Sequence, residues 1–203
     1  MPRRGILLVS SISILILILL FLLDQSIRIL ISSIRTDQVV NIMGLIGDIG
    51  SWAYLSLVAA VLLGFGNTRK NEKLKIAGGY GLVSILGSRF IVEILKHLAG
   101  RPRPSVFDSE GLRIGPTFAF GYDAFPSGHA ASSIAFAYIL SRSFPEGRYS
   151  FYAGGILISF SRIYLDVHYA SDIFAGGLIG LLSGMVTYKY LESKRTQDTI
   201  QLR

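Results

Sequence analysis

The stretch SRIYLDVHYASD, Ser161 to Asp172, places an arginine, a histidine and two aspartates between two segments that are otherwise apolar, at about 150–166 and 170–190. Ionisable groups are rare in lipid-facing helices, where they are paired or functional. The flanking segments predict two helices joined by a short polar turn, so the question is which environment the rest of the chain prepares for that turn.

The chain has 203 residues, of which 51% are apolar and 16% charged, against about a quarter charged in soluble domains. Its mean hydropathy is positive. Apolar runs of about twenty residues suffice to cross a hydrocarbon core of about 30 Å as helices. Length, charge and turn residues predict six of them, at about 5–23, 49–66, 75–98, 127–144, 150–166 and 170–190. The expected fold is all-α: a polytopic membrane protein with six transmembrane helices in one bundle, a single domain over 1–203 with its motif-bearing core at 75–190. The start MPRRG has the charge of a signal peptide, but the apolar run from Gly5 to Leu23 exceeds the usual length and no small-x-small cleavage site follows. It reads as an uncleaved first span.

The net charge of +7 is spread along short loops and gathers on no amphipathic face, which argues against a nucleic-acid partner. Six spans put both termini on one side together with Arg3, Arg4, Arg69, Lys70, Arg142, Arg148, Lys194 and Arg203, and the positive-inside rule makes that side cytoplasmic. The opening stretch then faces the outside, the periplasm in a bacterium, and the protein belongs in the cell (inner) membrane. Cysteine is absent, so neither disulfides nor thiol chemistry enters.

Three clusters fall on that outer face. In KHLAGRPRP, Lys96 closes the third span and Pro102 and Pro104 stop it, leaving Lys96 and Arg103 at the membrane edge, where they either snorkel to headgroups or bind an anion. In FPSGHAASS, Pro126 suits a first helical turn, Ser127 can cap it and Gly128 admits close approach of a bound group. His129 lies in a helix start whose free N–H groups favour negative charge. In the third cluster Arg162 ends span five, His168 sits in the turn and Asp172 lies one helical turn on, placed to accept from one ring nitrogen and leave the other free to attack. A metal site usually gathers more carboxylate or imidazole ligands, and converging cations suit a phosphate better.

A lysine, six residues, Arg-Pro; then Pro-Ser-Gly-His; then Ser-Arg, five residues, His, three residues, Asp: with these the chain resembles the type 2 phosphatidic acid phosphatase (PAP2) family, membrane relatives of the vanadium haloperoxidases. The motifs are complete and in order from Lys96 to Asp172, with Ala130 and Ala170 as minor departures. The resemblance implies that Lys96, Arg103, Arg162, the Ser127 hydroxyl and the Gly128 N–H cradle phosphate in place of a metal ion, with no cofactor. It further implies that His168 attacks phosphorus to form a phosphohistidine, that Asp172 steadies the imidazolium, and that His129 protonates the departing lipid oxygen.

A nest at the membrane edge favours a membrane lipid phosphate as substrate. An external site puts undecaprenyl diphosphate first, phosphatidylglycerophosphate and phosphatidate close behind, and lipid A among the alternatives. A haloperoxidase would share the nest, and a lipid transporter or scramblase would need only the cations. Arg101 and Asp166 occupy no motif position and read as supports or surface groups. Arg89 and Glu93 sit one helical turn apart, as a structural ion pair or a support behind the site. Gly176, Gly180 and Gly184 form a stripe for close helix packing. The aromatic loop 105–124 either lines a lipid entrance or lies on headgroups.

Overall fold

A computed structural model describes residues 3–111 and 113–201; Arg203, one of the basic residues assigned to the terminal side, lies outside them. Among the described residues there is no strand. Eight α-helices follow in order: α1 (Arg3–Ser33), α2 (Asp37–Ile49), α3 (Trp52–Thr68), α4 (Glu72–Ala99), α5 (Pro104–Glu110), α6 (Gly128–Ser143), α7 (Arg148–Tyr164) and α8 (Ala170–Gln201). A turn of 3₁₀ helix at Pro145–Gly147 joins α6 to α7.

Local chemistry sets most of the boundaries. Thr36, Ser51 and Asn71 accept from Val39, Tyr54 and Leu74 backbone N–H groups and so cap α2, α3 and α4, each satisfying an otherwise orphaned donor. Gly100 ends α4 in the left-handed region, with the Gly115 carbonyl so close that a β-carbon would have no room. Pro104 opens α5.

The helices depart from the sequence expectation in four places, one of them the short α5 inside the expected loop 105–124. The first runs to Ser33 instead of stopping near Leu23, because Asp24 and Arg28 within it find partners on other segments. The second expected span is α3 alone, preceded by an unforeseen α2 and separated from it by a bend of 51°. The last continues to Gln201. Two helical stretches are long and apolar enough to cross a membrane by themselves, Leu7–Ser33 and Ala170–Gln197, and the bent α2–α3 pair makes a third when taken together. At 16 and 17 residues, α6 and α7 reach only about 25 Å.

Helix α6 is the centre, packed by α4, α7 and α8, with α3 behind α4. Leu55, Ala59, Ile85 and Phe136 form the buried core between α3, α4 and α6. The seam between α6 and α8 is set by the glycine stripe. A β-carbon on Gly176 would lie 2.3 Å from the Ser127 carbonyl oxygen, one on Gly180 2.2 Å from that of Ala131, and one on Gly184 2.9 Å from Tyr138 Cβ.

The loop after α5 folds back onto the end of α4. Gly115 and Thr117 donate to the Ala99 and His97 carbonyls, Arg103 donates to Gly121 at 2.7 Å, and Ala124 donates to Arg101 at 3.0 Å. These bonds lay residues 121–124 along residues 101–103 and lead the chain straight into α6.

Gly180→Ala is therefore expected to destabilise the protein by about 1–3 kcal/mol, the usual cost of overpacking, read as a lower denaturation midpoint in detergent. Gly177→Ala on the same helix, where the nearest atom to an added β-carbon is Ile134 Cγ1 at 4.0 Å, should leave the midpoint unchanged. Equal effects at the two positions would overturn the seam.

Candidate active site

The ends of α4, α6, α7 and α8 bring the three clusters to one place. Lys96, in the last turn of α4, is buried, and its Nζ lies 3.3 Å from Asp123 Oδ2. Arg103 forks the same carboxylate, Nε to Oδ1 and Nη2 to Oδ2, both at 2.7 Å. Burial alone would push the Asp123 carboxyl up, but the Arg103 fork and Lys96 outweigh it and hold the group at about 2. It is ionised at any physiological pH.

Two donors at this place have no protein partner. Ser127 stands at the N-cap position of α6 but makes no capping bond with its side chain. Its hydroxyl is fully buried and unpaired, as is Arg162 Nε in the last turn of α7. Pro126 lies ahead of the cap and not within the first turn. Buried polar atoms without partners are uncommon, and an anion would supply the acceptor that both lack. Gly128 opens α6 with its α-carbon against Arg89, so near that a β-carbon would sit 2.6 Å from Nη1; Gly47 of α2 stands in the same relation to Arg162. Arg89 in turn contacts Glu93 at 2.7 Å, so the pair is an ion pair that also backs the start of α6.

His168, buried in the turn between α7 and α8, is held by the main chain. Its Nδ1 lies 2.7 Å from the Ala124 carbonyl oxygen and 3.6 Å from Asp172 Oδ2. The first is a hydrogen bond and the second is not, so the expectation that Asp172 fixes the tautomer is corrected: Nδ1–H donates to Ala124, and Nε2 keeps the lone pair. Asp172 is engaged elsewhere, accepting from Arg101 Nη1 at 2.6 Å and from the Tyr169 backbone N–H at 2.8 Å. Burial pushes the imidazole of His168 below its ordinary value, Lys96 and Arg103 add to this, and Asp172 opposes it. Half-buried His129, in the first turn of α6, lies within electrostatic range of Arg162, His168, Lys96 and Arg89.

Arg101 is no surface group. It is buried, donates to Asp172 and to Ser171 Oγ from Nη1 and to Asp24 of α1 from Nη2 at 2.8 Å, and lies between the rings of Phe21 and Tyr169 with centroids at 4.6 and 4.2 Å. Asp24 also accepts from the Ser171 backbone and hydroxyl. Asp166, with a left-handed backbone, binds Arg28 of α1, which also forks Asp108 of α5. Asp24 follows directly on the apolar run that ends at Leu23, and a charge at that place implies a partner without naming it. Asp123 gave no signal beyond its position three residues before Pro126. Among the described residues, no three of His, Asp and Glu gather as a metal-ligating group.

A family model described as the PAP2 superfamily matches residues 77–196. The chain is 31% identical over 115 residues to a lipid A 1-phosphatase of Rhizobium etli, covering 54% of this chain and 50% of that protein. It is 28% identical over 143 residues to a lipid A 4'-phosphatase of Porphyromonas gingivalis, covering 68% and 60%. The chain thus spans about half the length of the first of these curated relatives. Among solved structures, LpxE of Aquifex aeolicus superposes with a TM-score of 0.66 at 27% identity over 83% of this chain and 96% of that one. A PAP2-type phosphatidylglycerolphosphate phosphatase of Bacillus subtilis gives 0.67 at 22% over 90% and 96%, a likeness of fold.

Removing the guanidinium in Arg101→Met leaves Asp24 and Asp172 as uncompensated buried charges. Loss of one partner of such a network costs about 3–5 kcal/mol, so the variant should denature well below the wild type in detergent. Arg101→Lys should recover only part of this, because an ammonium cannot span two carboxylates as the planar fork does. An unchanged midpoint in Arg101→Met would contradict the assignment.

Proposed function

Since the chain belongs to the PAP2 superfamily, we propose that it is a membrane-embedded lipid phosphatase whose substrate is a sugar-linked lipid phosphate of the lipid A type. The observation that carries the reading is the pair of stranded donors, Ser127 Oγ and Arg162 Nε, beside Lys96, Arg103 and the N–H of Gly128, with a neutral histidine at their edge. A tetrahedral phosphate dianion supplies the acceptors these groups lack, and charge-assisted bonds of this kind contribute about 1.5–3 kcal/mol each.

The chemistry balances without a metal ion. His168 Nε2 attacks phosphorus, the P–N bond forms as the P–O bond to the lipid breaks, and His129 gives its proton to the departing oxygen. His129 then takes a proton from water, whose oxygen attacks the phosphohistidine; the P–N bond breaks and inorganic phosphate leaves. The Ala124 carbonyl keeps the Nδ1 proton in place, and Asp172, close but not bonded, stabilises the imidazolium electrostatically.

Two features support a lipid substrate. An apolar groove of about 450 Å³ lined by Ile134, Phe160, Ile163, Ile173, Phe174 and Leu178 lies between α6, α7 and α8, the helices that carry Ser127, Arg162 and Asp172 at their ends, and offers a path for hydrocarbon. The two curated relatives are lipid A phosphatases, which moves undecaprenyl diphosphate, first on sequence grounds, behind lipid A. Counting the bent α2–α3 pair as one crossing, α1, α4, α6, α7 and α8 complete six spans, with cytoplasmic termini by the positive-inside rule and the site on the outer face of the cell membrane.

The test is phosphate release in detergent with EDTA present, comparing lipid A, undecaprenyl diphosphate, phosphatidylglycerophosphate and phosphatidate. Lipid A is expected to be the best substrate, unaffected by the chelator; a clear preference for another lipid would replace the substrate assignment, and no release from any would overturn the phosphatase. His129→Ala should cost about 10²–10⁴-fold in rate, and His168→Ala should abolish release while the protein stays folded. Because burial lowers the pKa of His168, the attacking neutral imidazole is present above that pKa and lost as pH falls through it. The acid limb of kcat/KM is therefore expected below about pH 6.5, the ordinary imidazole value, and the alkaline limb in kcat, where the bound phosphate dianion faces His129 and favours its protonated form. A flat profile from mildly acidic to mildly alkaline pH would contradict the two-histidine scheme.

A further inference from the structure

The geometry points to Asp123 as an internal anion that competes with phosphate for Lys96 and Arg103, positions both cations between turnovers and lowers the cradle's hold on its product. The inference rests on the phosphatase reading above.

Asp123 belongs to none of the three motifs, yet it occupies two donors of Arg103 and lies within ion-pair range of Lys96. Its fork leaves Arg103 Nη1 uncommitted, and Lys96 keeps donors besides the one facing Asp123. A phosphate oxygen can therefore approach both cations, but only beside a carboxylate that repels it. The carboxylate cannot retreat far. Its backbone neighbours are tied down, Gly121 accepting from Arg103 and Ala124 donating to Arg101, and the Ala124 carbonyl holds His168. One short segment thus carries the competing anion and the main-chain group that orients the nucleophile.

A proton-transfer role does not fit, because a carboxyl held at about 2 stays ionised wherever the enzyme works. Its effect is electrostatic. The side chain is about one-third exposed, so it lies at the open side of the cradle. The other acidic groups around the cations are less direct: Glu93 is taken up by Arg89, and Asp48 of α2 acts on Arg162 through space. Without Asp123, Lys96, Arg103 and Arg162 would face the phosphate with no carboxylate, among the described residues, in contact with any of them. Inorganic phosphate, which carries the same charge as the transferred group, should then leave slowly.

The test compares Asp123→Asn and Asp123→Glu with the wild type, using inorganic phosphate and vanadate as probes. In Asp123→Asn the inhibition constants of both should fall about tenfold, as removal of a like charge a few ångströms from the bound anion implies. KM for lipid should fall with kcat, since product release slows. Asp123→Glu should restore wild-type constants in large part. Should the Asn variant turn over too poorly for kinetics, the rise in its denaturation midpoint on adding inorganic phosphate is measured instead, and should exceed that of the wild type.

Inhibition constants that stay put, or that rise together with KM, would overturn the competing-anion role; the second pattern is that of a merely structural residue. Failure of the phosphatase reading looks different, because the wild type itself would then release no phosphate from lipid.

Discussion

The guanidinium of Arg101 is the contact on which the site depends. It joins Asp24 of α1, Asp172 of α8 and the chain just beyond α4, three segments with no neighbourhood in sequence, inside a region closed to solvent. Taking such charges out of water is costly, and only good geometry with further hydrogen bonds offsets the cost. Here the bonds are present: Ser171 and the Tyr169 backbone fill the remaining acceptor positions, and aromatic rings cover both faces of the cation. Because Asp172 is locked by Arg101, it is a fixed negative charge near His168 and not the group that holds its proton.

That division of labour separates two tasks often given to one carboxylate. Orientation of His168 falls to the Ala124 carbonyl at 2.7 Å, a neutral acceptor that sets the tautomer without raising the basicity of the ring as a bonded carboxylate would. Charge stabilisation falls to Asp172 at 3.6 Å, whose field is felt most when the ring becomes cationic. On the proposed mechanism, a buried neutral imidazole would thereby remain able to attack in the presence of Lys96 and Arg103, and its cationic product would still find compensation.

Much of this was legible in the chain because it is local. Apolar length pointed to the helical class, and the clusters from Lys96 to Asp172 named residues that the helix ends bring to one place. What was missed is long-range or has no chemical signature. Asp24 and Arg101 are 77 residues apart, and no spacing rule links them. Ala124 contributes a carbonyl, which every residue has. Asp123 finds Arg103 only because the loop doubles back in register with residues 101–103. Helix α2 is short, opens with polar residues and is bent away from α3, so a search for runs of twenty apolar residues passes over it. The end of α1 was misplaced for the opposite reason: the apolar run ends at Leu23, but Asp24 and Arg28 continue the helix because each is neutralised by a partner the sequence does not announce.

The depth of the cradle follows from the packing of α6. Its first turn meets α8 at Gly176 and α4 at Arg89, about 9 Å below the start of α8 and about 15 Å below the end of α4 at the usual rise per residue. The N-terminus of α6 is thus recessed within the bundle, with Ser127 and Gly128 buried. Attraction to an anion is stronger there than at an exposed helix start, where solvent screens it. On the phosphatase reading proposed above, the same recess would admit a phosphate that projects from its carrier, while the apolar groove lined by Ile163 and Ile173 would take hydrocarbon. Depth and groove together would then favour a substrate that arrives from the bilayer over a water-soluble phosphate, which gains nothing from the groove.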